Sequence, residues 1–255
     1  MPDPAHARRS GEEEVELPKK EVSATAASRL GLAKDAITAT KAVLNFGAGN
    51  QVEALRATKL NSMARLQVMR DSENKYWELA PEVRSIAAAN PEALIAAKAD
   101  LAHGGNCGEH AWVAYHYLRQ HAAGQHIQVS AKEGLDHAFV LIGNIGGADK
   151  DSDIAVSDPW PTRARACLWE DHFAYTADRS KIEDYASMVA DGVSKKSAIA
   201  AGLRLSAEGE AYVLAEGTKE QTDDVVGHAR ENHLWNHPNT EASGSQYHYV
   251  NEDGR

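Results

Sequence analysis

Three side chains of this sequence have the types and the chain order needed for nucleophilic catalysis at sulfur. Cys107 comes first, His137 follows it by 30 residues, and Asp158 follows His137 by 21 residues. A histidine beside a cysteine keeps the sulfur anionic and later protonates the leaving amine, while a carboxylate on the far side of the ring sets its tautomer and orientation. We therefore take Cys107 as the nucleophile, His137 as the base and acid, and Asp158 as the orienting residue. The reaction is acyl transfer through a thioester, which needs no cofactor.

Two neighbours of this triad are candidates for supporting roles. Asn106 precedes the cysteine, and its side-chain amide would join the backbone N–H of Cys107 as an oxyanion donor, or would only cap the following helix in a capping box with Glu109. Trp160 would either exclude water from the site or simply pack against a strand end. No glutamine lies just before Cys107, so the second oxyanion donor stays unassigned.

Other residues compete for the same roles. His172, preceded by Asp171, is the main rival base, because the histidines of the cysteine helix have no strand to hold them. Asp158 before a proline also fits an ordinary turn, and His137 fits a strand-end histidine bonded to a carbonyl. The alternative carboxylates are Asp136, Asp149, Asp151 and Asp153. Cys107 alone also fits an inert buried thiol, and Cys167 is expected to be one.

A metal site is the alternative chemistry. His233 and His237 have the i, i+4 spacing of helical ligands, and His228 and His248 are near them in the chain. No cysteine and no glutamate-flanked helical pattern accompanies these histidines, so we expect them to be solvated side chains. The sequence therefore predicts no metal site.

The elements that must position the triad follow from hydrophobic periodicity. A turn at Gly104-Gly105 and a buried face predict a helix that begins at Cys107, where the helix dipole favours a thiolate. Residues 127–131, 136–142 and 154–157 predict three strands, the second one central because it is almost continuously apolar. The third strand ends at the run Asp-Pro-Trp-Pro, since proline cannot continue a ladder. Each triad residue thus lies at the end of one element.

The flanking regions predict mostly helix. Residues 23–102 are rich in Ala, Leu, Lys and Glu and predict three to five helices. Two of these have marked starts, a capping box of Asn50 with Glu53 and an N-cap at Asn90-Pro91. Residues 166–175 predict a strand or short helix, residues 181–201 predict one or two helices interrupted at Gly192, and residues 211–214 are too short to assign.

Composition and charge exclude several classes of protein. The net charge of −10 argues against binding of nucleic acid. Much of this charge lies in residues 206–255, which carry ten acidic and three basic side chains. No apolar stretch is long enough to span a membrane, and two cysteines cannot build a disulfide framework. We expect a disordered arm (1–24), a helical subdomain (25–102), a catalytic core (103–205) and an acidic, flexible tail (206–255).

Three short motifs carry a resemblance to a known superfamily. Gly-Asn-Cys-Gly-Glu-His-Ala, Asp-His-Ala-Phe-Val and Ser-Asp-Pro-Trp-Pro resemble the core motifs of papain-like and transglutaminase-like cysteine hydrolases, with compact members from bacterial effectors and toxins the most similar. The resemblance covers about residues 100–165. It implies an α+β, papain-like core in which the cysteine-bearing helix packs on an antiparallel sheet. It also implies a reaction at an amide of a protein substrate: peptide cleavage, glutamine deamidation or crosslinking.

The same resemblance bears on location and partners. Together with the charged start, it implies an effector secreted into a target cell without an ordinary signal peptide; the alternative is a cytoplasmic protein. The expected partners are a protein substrate and a secretion chaperone or an inhibitor, since residues 25–102 would serve as a recognition arm, a chaperone site or an inhibitory cover. The competing hypothesis is a non-catalytic, protein-binding module on the same scaffold.

Overall fold

The computed structural model describes residues 17–73, 75–231 and 242–251. The helices in these ranges are α1 (Ala24–Val43), α2 (Val52–Ala57), α3 (Asn61–Met69), α4 (Pro81–Ala89), α5 (Pro91–Ala102), α6 (Cys107–His121), α7 (Lys196–Ala200), α8 (Ala207–Tyr212) and α9 (Lys219–Glu231). The strands are β1 (Lys19–Val22), β2 (Trp77–Leu79), β3 (His126–Lys132), β4 (Leu135–Ile142), β5 (Ala155–Ser157), β6 (Cys167–Leu168), β7 (Ile182–Val189), β8 (Leu203–Leu205) and β9 (His248–Asn251). No helix in these ranges is both long enough and apolar enough to span a membrane.

A five-stranded antiparallel sheet lies at the centre of the fold, in the order β6-β5-β4-β3-β7. Strands β3 and β4 form a hairpin in which Lys132 pairs with Leu135, so Glu133 and Gly134 make a two-residue turn. Gly134 has a φ of 78°, which glycine adopts at little cost. The antiparallel sheet and its covering helices confirm the predicted α+β class, and the three strands predicted around the site appear as β3, β4 and β5.

Helices α1 and α6 cover one face of this sheet. Both helices present small side chains, so they approach each other and the strands closely; the buried contributors include Ala26, Ala33 and Ala36 of α1, Ala111, Ala114 and Leu118 of α6, and Ile127, Val129, Val140 and Ile142 of the sheet. The opposite face carries a separate cluster with Phe139, Leu141, Val156, Cys167 and Trp169. The parity of β4 therefore decides which side each of its residues faces.

The N-terminal region forms the predicted helices, α1 to α5, with the short strand β2 between α3 and α4. Helices α3 and α5 share a core with Trp77 of β2 and Val113 of α6, and β2 pairs with β8. Helix α1 packs instead with the central sheet. Residues 25–102 therefore pack directly against residues 103–205, across the expected subdomain boundary.

Two local predictions were wrong. Residues 182–189 form the edge strand β7 rather than helix, because the outer edge of β3 offers backbone partners and the segment carries the strand formers Ile182, Tyr185 and Val189. Helix α2 begins one residue later than Asn50 predicts, with Gln51 at the N-cap and no side-chain cap, because Asn50 Oδ1 accepts a bond from Trp160 Nε1 (3.1 Å) instead.

The two ends of the chain also differ from the expected arm and flexible tail. Strand β1 lies within residues 1–24 and pairs in parallel with β9, while α9 packs its Val226 against Val52 and Leu55 of α2. A few apolar anchors suffice because the partner surfaces already exist on the core. The histidines His233 and His237 and residues 1–16 lie outside the described residues.

Candidate active site

Cys107 is the first residue of α6, as the sequence predicts. Asn106 and Glu109 form a capping box at this helix start, in which Asn106 N donates a hydrogen bond to Glu109 Oε2 (2.7 Å). The reciprocal bond to the Asn106 side chain is not formed, since Asn106 Oδ1 is buried without a hydrogen-bond partner. A Cβ on Gly105 would lie 2.4 Å from Glu109 Cβ, so the returning Glu109 side chain requires glycine at this position. These residues set the angle at which the thiol leaves the helix.

The three predicted triad residues are brought together. The Cys107 thiol lies close enough to His137 to raise the pKa of its ring, and His137 Nε2 donates to Asp158 Oδ2 at 2.7 Å. Because Nε2 faces the carboxylate, Nδ1 is the ring nitrogen left for the sulfur. Cys107 is partly exposed, whereas His137 is 5% and Asp158 0% exposed. Solvent and substrate can therefore reach the Cys107 sulfur, whereas His137 and Asp158 are shielded from water.

The register between β4 and β5 explains why His137 meets Asp158. Val140 pairs with Ser157, so continuing the ladder places Phe139 opposite Asp158 and His137 opposite Trp160. His137 and Asp158 are then diagonal neighbours, within reach for side chains of their length. The ring of Trp160 lies 4.9 Å from that of His137, which agrees with this extension.

The electrostatics of the pair favour an imidazolium beside a carboxylate. Burial opposes the charged ring, but the Asp158 charge and hydrogen bonds to Asp158 and Cys107 outweigh it and raise the pKa of His137 to about 10. Burial would also raise the pKa of Asp158, yet the His137 charge and the hydrogen bonds from His137 and His172 hold that pKa well below its usual range. Near neutral pH both groups are charged.

His172, the rival base, lies on the far side of Asp158. Its Nε2 is 3.1 Å from Asp158 Oδ2, and its Nδ1 accepts a bond from the Ala174 backbone N–H (3.3 Å). A neutral ring that accepts at Nδ1 must carry its proton on Nε2, so His172 donates to the carboxylate. Burial lowers the pKa of His172 and keeps the ring neutral. The preceding Asp171 binds Lys20 and Tyr249 rather than orienting His172.

His137, Asp158 and His172 are also the one cluster among the described residues with three side chains close enough to share a metal ion. The tautomer of His172 argues against that use. A ligating histidine normally donates its other N–H to an acceptor, whereas the other nitrogen of His172 accepts one. Binding a metal at Nε2 would leave that ring without a proton on either nitrogen. The residues therefore fit a hydrogen-bonded chain better than a metal centre.

The loop after β5 is held by hydrogen bonds within the loop and by Gln51 and Lys41, two residues that the sequence does not point to. Trp160 N donates to Asp158 Oδ1 (3.3 Å), and the Trp160 carbonyl accepts from Gln51 Nε2 (2.7 Å). Lys41 of α1 donates to the Pro161 carbonyl (2.8 Å), and burial, opposed by Asp158, lowers the pKa of Lys41 to about 8. These contacts tie the N-terminal helices to the carboxylate. Only the tertiary fold reveals them, because Gln51 and Asp158 are far apart in the chain.

The remaining candidates are placed away from these roles. His110 bonds its own helix at the Asn106 carbonyl (2.7 Å), and burial together with the Lys41 charge lowers its pKa to about 4. Asp149 bonds Asn144 N and Arg29, and Asp151 bonds Arg179. Cys167 is buried, and burial raises the pKa of its thiol well above the usual value.

Comparisons with protein-family models, curated proteins and solved structures found no match to this chain.

Proposed function

We propose that this protein is a cysteine-dependent hydrolase that acts on an amide of a protein substrate, with a papain-like arrangement of its catalytic core. The observation that carries the proposal is the chain of contacts from Cys107 through His137 to Asp158. A partly exposed thiol beside a charged, buried imidazole is the arrangement that produces a reactive sulfur. Residue motifs around all three positions support the same reaction.

The proposed reaction has two half-steps. The Cys107 sulfur attacks the amide carbon, and the His137 imidazolium gives its proton to the departing nitrogen as the carbon–nitrogen bond breaks. Water then attacks the thioester, His137 takes a proton from that water, and the carbon–sulfur bond breaks to release the acid. The products are an acid and an amine for a peptide bond, or an acid and ammonia for a glutamine side chain.

The start of α6 supplies the groups that would stabilise the oxyanion. Backbone N–H groups in the first turn of a helix lack acceptors within the helix, and the helix dipole favours negative charge there. The Cys107 backbone N–H and the Asn106 side-chain amide are the proposed donors. Trp160, 8% exposed and packed on the His137 ring, would keep water off the imidazolium.

Selective labelling tests the proposal. Iodoacetamide near pH 7 should modify Cys107 far faster than Cys167, which is buried and has a raised thiol pKa. Replacing His137 with alanine should slow the Cys107 reaction about 10- to 30-fold, because an ordinary thiol is only a few per cent thiolate at this pH. The rates are read by mass spectrometry of the two peptides.

The matched control is His121→Ala, an exposed histidine of the same helix that bonds the Tyr117 carbonyl; it should leave the rate unchanged. Equal, slow labelling of both cysteines would overturn the enzymatic proposal and favour a non-catalytic binding module. If Cys107 is reactive, mass spectrometry of treated substrate proteins separates cleaved chains, the roughly one-dalton gain of glutamine deamidation, and crosslinks between chains.

Delivery into a target cell belongs to the same proposal. The test is a secretion assay on a chain that lacks residues 1–16 only, because Lys20 bonds Asp171 and Ser23 caps α1, so a longer deletion would also disturb the fold. Loss of export with reactivity of Cys107 retained is the expected result. Unchanged delivery would contradict a secretion signal in these residues.

A further inference from the structure

We propose that His172 is a positioning residue of the triad, which fixes Asp158 in the orientation that pairs with His137. The inference rests on the proposed function, since it assigns a second histidine to the same site. His172 and His137 donate to the same oxygen, Oδ2 of Asp158, at 3.1 and 2.7 Å. The sequence presents the two histidines as rival bases, whereas in the structure both bind the same carboxylate oxygen from different sides.

The carboxylate is held by donors from three separate segments. His137 comes from β4, His172 from the turn after β6, and the Trp160 N–H, which donates to Oδ1, from the loop after β5. A carboxylate bonded at both oxygens cannot turn about its terminal bond without losing one of them. His172 is a second donor to Oδ2, from a segment other than β4, so this oxygen keeps a hydrogen bond even when His137 gives up its own. His172 is neutral, so it adds a donor without adding a second positive charge.

His172 is in turn held by the C-terminal segment of the described chain. Phe173 N donates to the Ser243 carbonyl (3.1 Å), and Ser245 N donates to the Asp171 carbonyl (2.9 Å). Residues 243–245 are therefore hydrogen-bonded to the backbone on both sides of His172. Gly244, between these contacts, has a φ of 139°, and a Cβ there would lie 2.4 Å from the Asp171 carbonyl oxygen. Only glycine allows so close an approach. A donor fixed at both its ring and its backbone suits a positioning role.

The surroundings of His172 separate this role from simple packing. Its ring is buried among the aromatic rings of Phe139, Phe173 and Trp169, with centroid distances of 4.8, 4.3 and 6.2 Å. Such a site would pack a phenylalanine at least as well as a histidine. A glutamine would pack less well but would keep an N–H donor at about the reach of Nε2. A role in packing alone therefore predicts that phenylalanine replaces His172 at least as well as glutamine does, whereas a role as a donor to Asp158 predicts that glutamine preserves reactivity better.

The experiment compares His172→Phe with His172→Gln by iodoacetamide labelling of Cys107 and by urea unfolding. The phenylalanine variant should be folded and lose about 3- to 10-fold in labelling rate, less than His137→Ala loses, because His172 acts on the sulfur only through Asp158 and His137. The glutamine variant should recover most of that loss because it keeps an N–H donor for Asp158. Labelling rates that follow stability, with phenylalanine equal to or better than glutamine, would overturn the proposal.

The pH profile gives a second readout. The titratable groups that face Asp158 are His137 from β4, His172, Lys41 from α1, His110 from α6 and Cys167 from β6. Because the charge and hydrogen bond of Asp158 raise the pKa of His137, loss of the bond that positions Asp158 should lower the pKa of His137 in the phenylalanine variant and not in the glutamine variant, as read by nitrogen-15 NMR titration. A His137 pKa that is unchanged in the phenylalanine variant would count against the proposal.

The outcomes separate this inference from the proposed function. If wild-type Cys107 shows no dependence on His137, the proposed function fails and both readouts lose their meaning. If that dependence is present but His172→Phe labels at the wild-type rate, only the positioning role fails. Nitrogen-15 NMR of the labelled histidines adds a direct check, since His172 should be neutral with its proton on Nε2; a proton on Nδ1 would contradict the assignment.

Discussion

At the scale of single residues, Asp158 is the group on which the candidate site depends most. It is 0% exposed and accepts bonds from His137, His172 and the Trp160 backbone. A buried carboxylate costs free energy to desolvate, and its charge is retained here because a charged ring and two further donors surround it. Apolar residues would fill the same space at lower cost, so this arrangement agrees with the proposed control of the His137 proton.

Replacing Asp158 with asparagine should leave the fold intact and lower the labelling rate of Cys107 by up to about 30-fold, no more than His137→Ala does, because Asp158 acts on the sulfur only through His137. The amide cannot stabilise the imidazolium and can present an N–H to His137 Nε2, which favours the wrong tautomer. The measurement is iodoacetamide labelling at pH 7 with circular dichroism as a check on folding. Asp191→Asn, at an exposed carboxylate paired with Arg119, is the matched control and should be silent. A folded Asp158→Asn protein with wild-type reactivity would remove Asp158 from the mechanism.

At the scale of elements, the sequence predicts what local signals determine. The glycine turn, the cap and the apolar period locate the start of α6 at Cys107, and a continuous apolar run between glycines locates β4. Because a proline ends β5 next to Asp158, the antiparallel pairing of two neighbouring strands was enough to anticipate the contact with His137. The triad could be predicted because each member lies at the boundary of an element that its own neighbours define.

The parts of the site that the sequence did not predict depend on contacts between distant segments. Residues 182–189 have no decisive local preference, and the open edge of β3 makes them a strand. The sequence pairs His172 with its chain neighbour Asp171 and so presents it as a rival base, although the carboxylate it binds is Asp158. The sequence also predicts Asn50 as a helix cap, yet its oxygen accepts a bond from the Trp160 indole. In each case a local signal competed with a tertiary partner, and the partner prevailed.

At the scale of the whole molecule, both ends of the described chain converge on the site. Strand β1 pairs with β9, and Lys20 and Tyr249 both bond the Asp171 side chain beside His172. Helix α1 supplies Lys41 to the loop after Asp158 and packs on the central sheet. The described parts of the predicted arm, helical region and tail are therefore linked to the candidate site by specific contacts, and the reactivity of Cys107 should depend on all of them.

The stability of the whole chain should depend on pH in two opposite directions. His137 has a folded-state pKa of about 10, against about 6.5 when unfolded, so its contribution is complete below about pH 6.5 and is lost as pH rises through about 10. His110 and His116 have folded-state pKa values lowered to about 4, mainly by burial, so their contribution is lost as pH falls from about 6.5 toward 4. These histidines together place maximum stability near pH 6.5.

Urea unfolding of wild type, His137→Gln and His116→Gln between pH 4 and 10 tests this expectation. Above about pH 6.5 the wild-type free energy of unfolding should fall relative to that of His137→Gln, with a slope of at most about 1.4 kcal/mol per pH unit because one proton is involved. His116→Gln, at a buried histidine whose Nδ1 contacts Ser194, should match the wild-type alkaline slope and differ only on the acid side. If the wild-type and His137→Gln curves run parallel above pH 6.5, His137 does not hold its proton in the folded protein, and the imidazolium on which the proposed chemistry relies is absent.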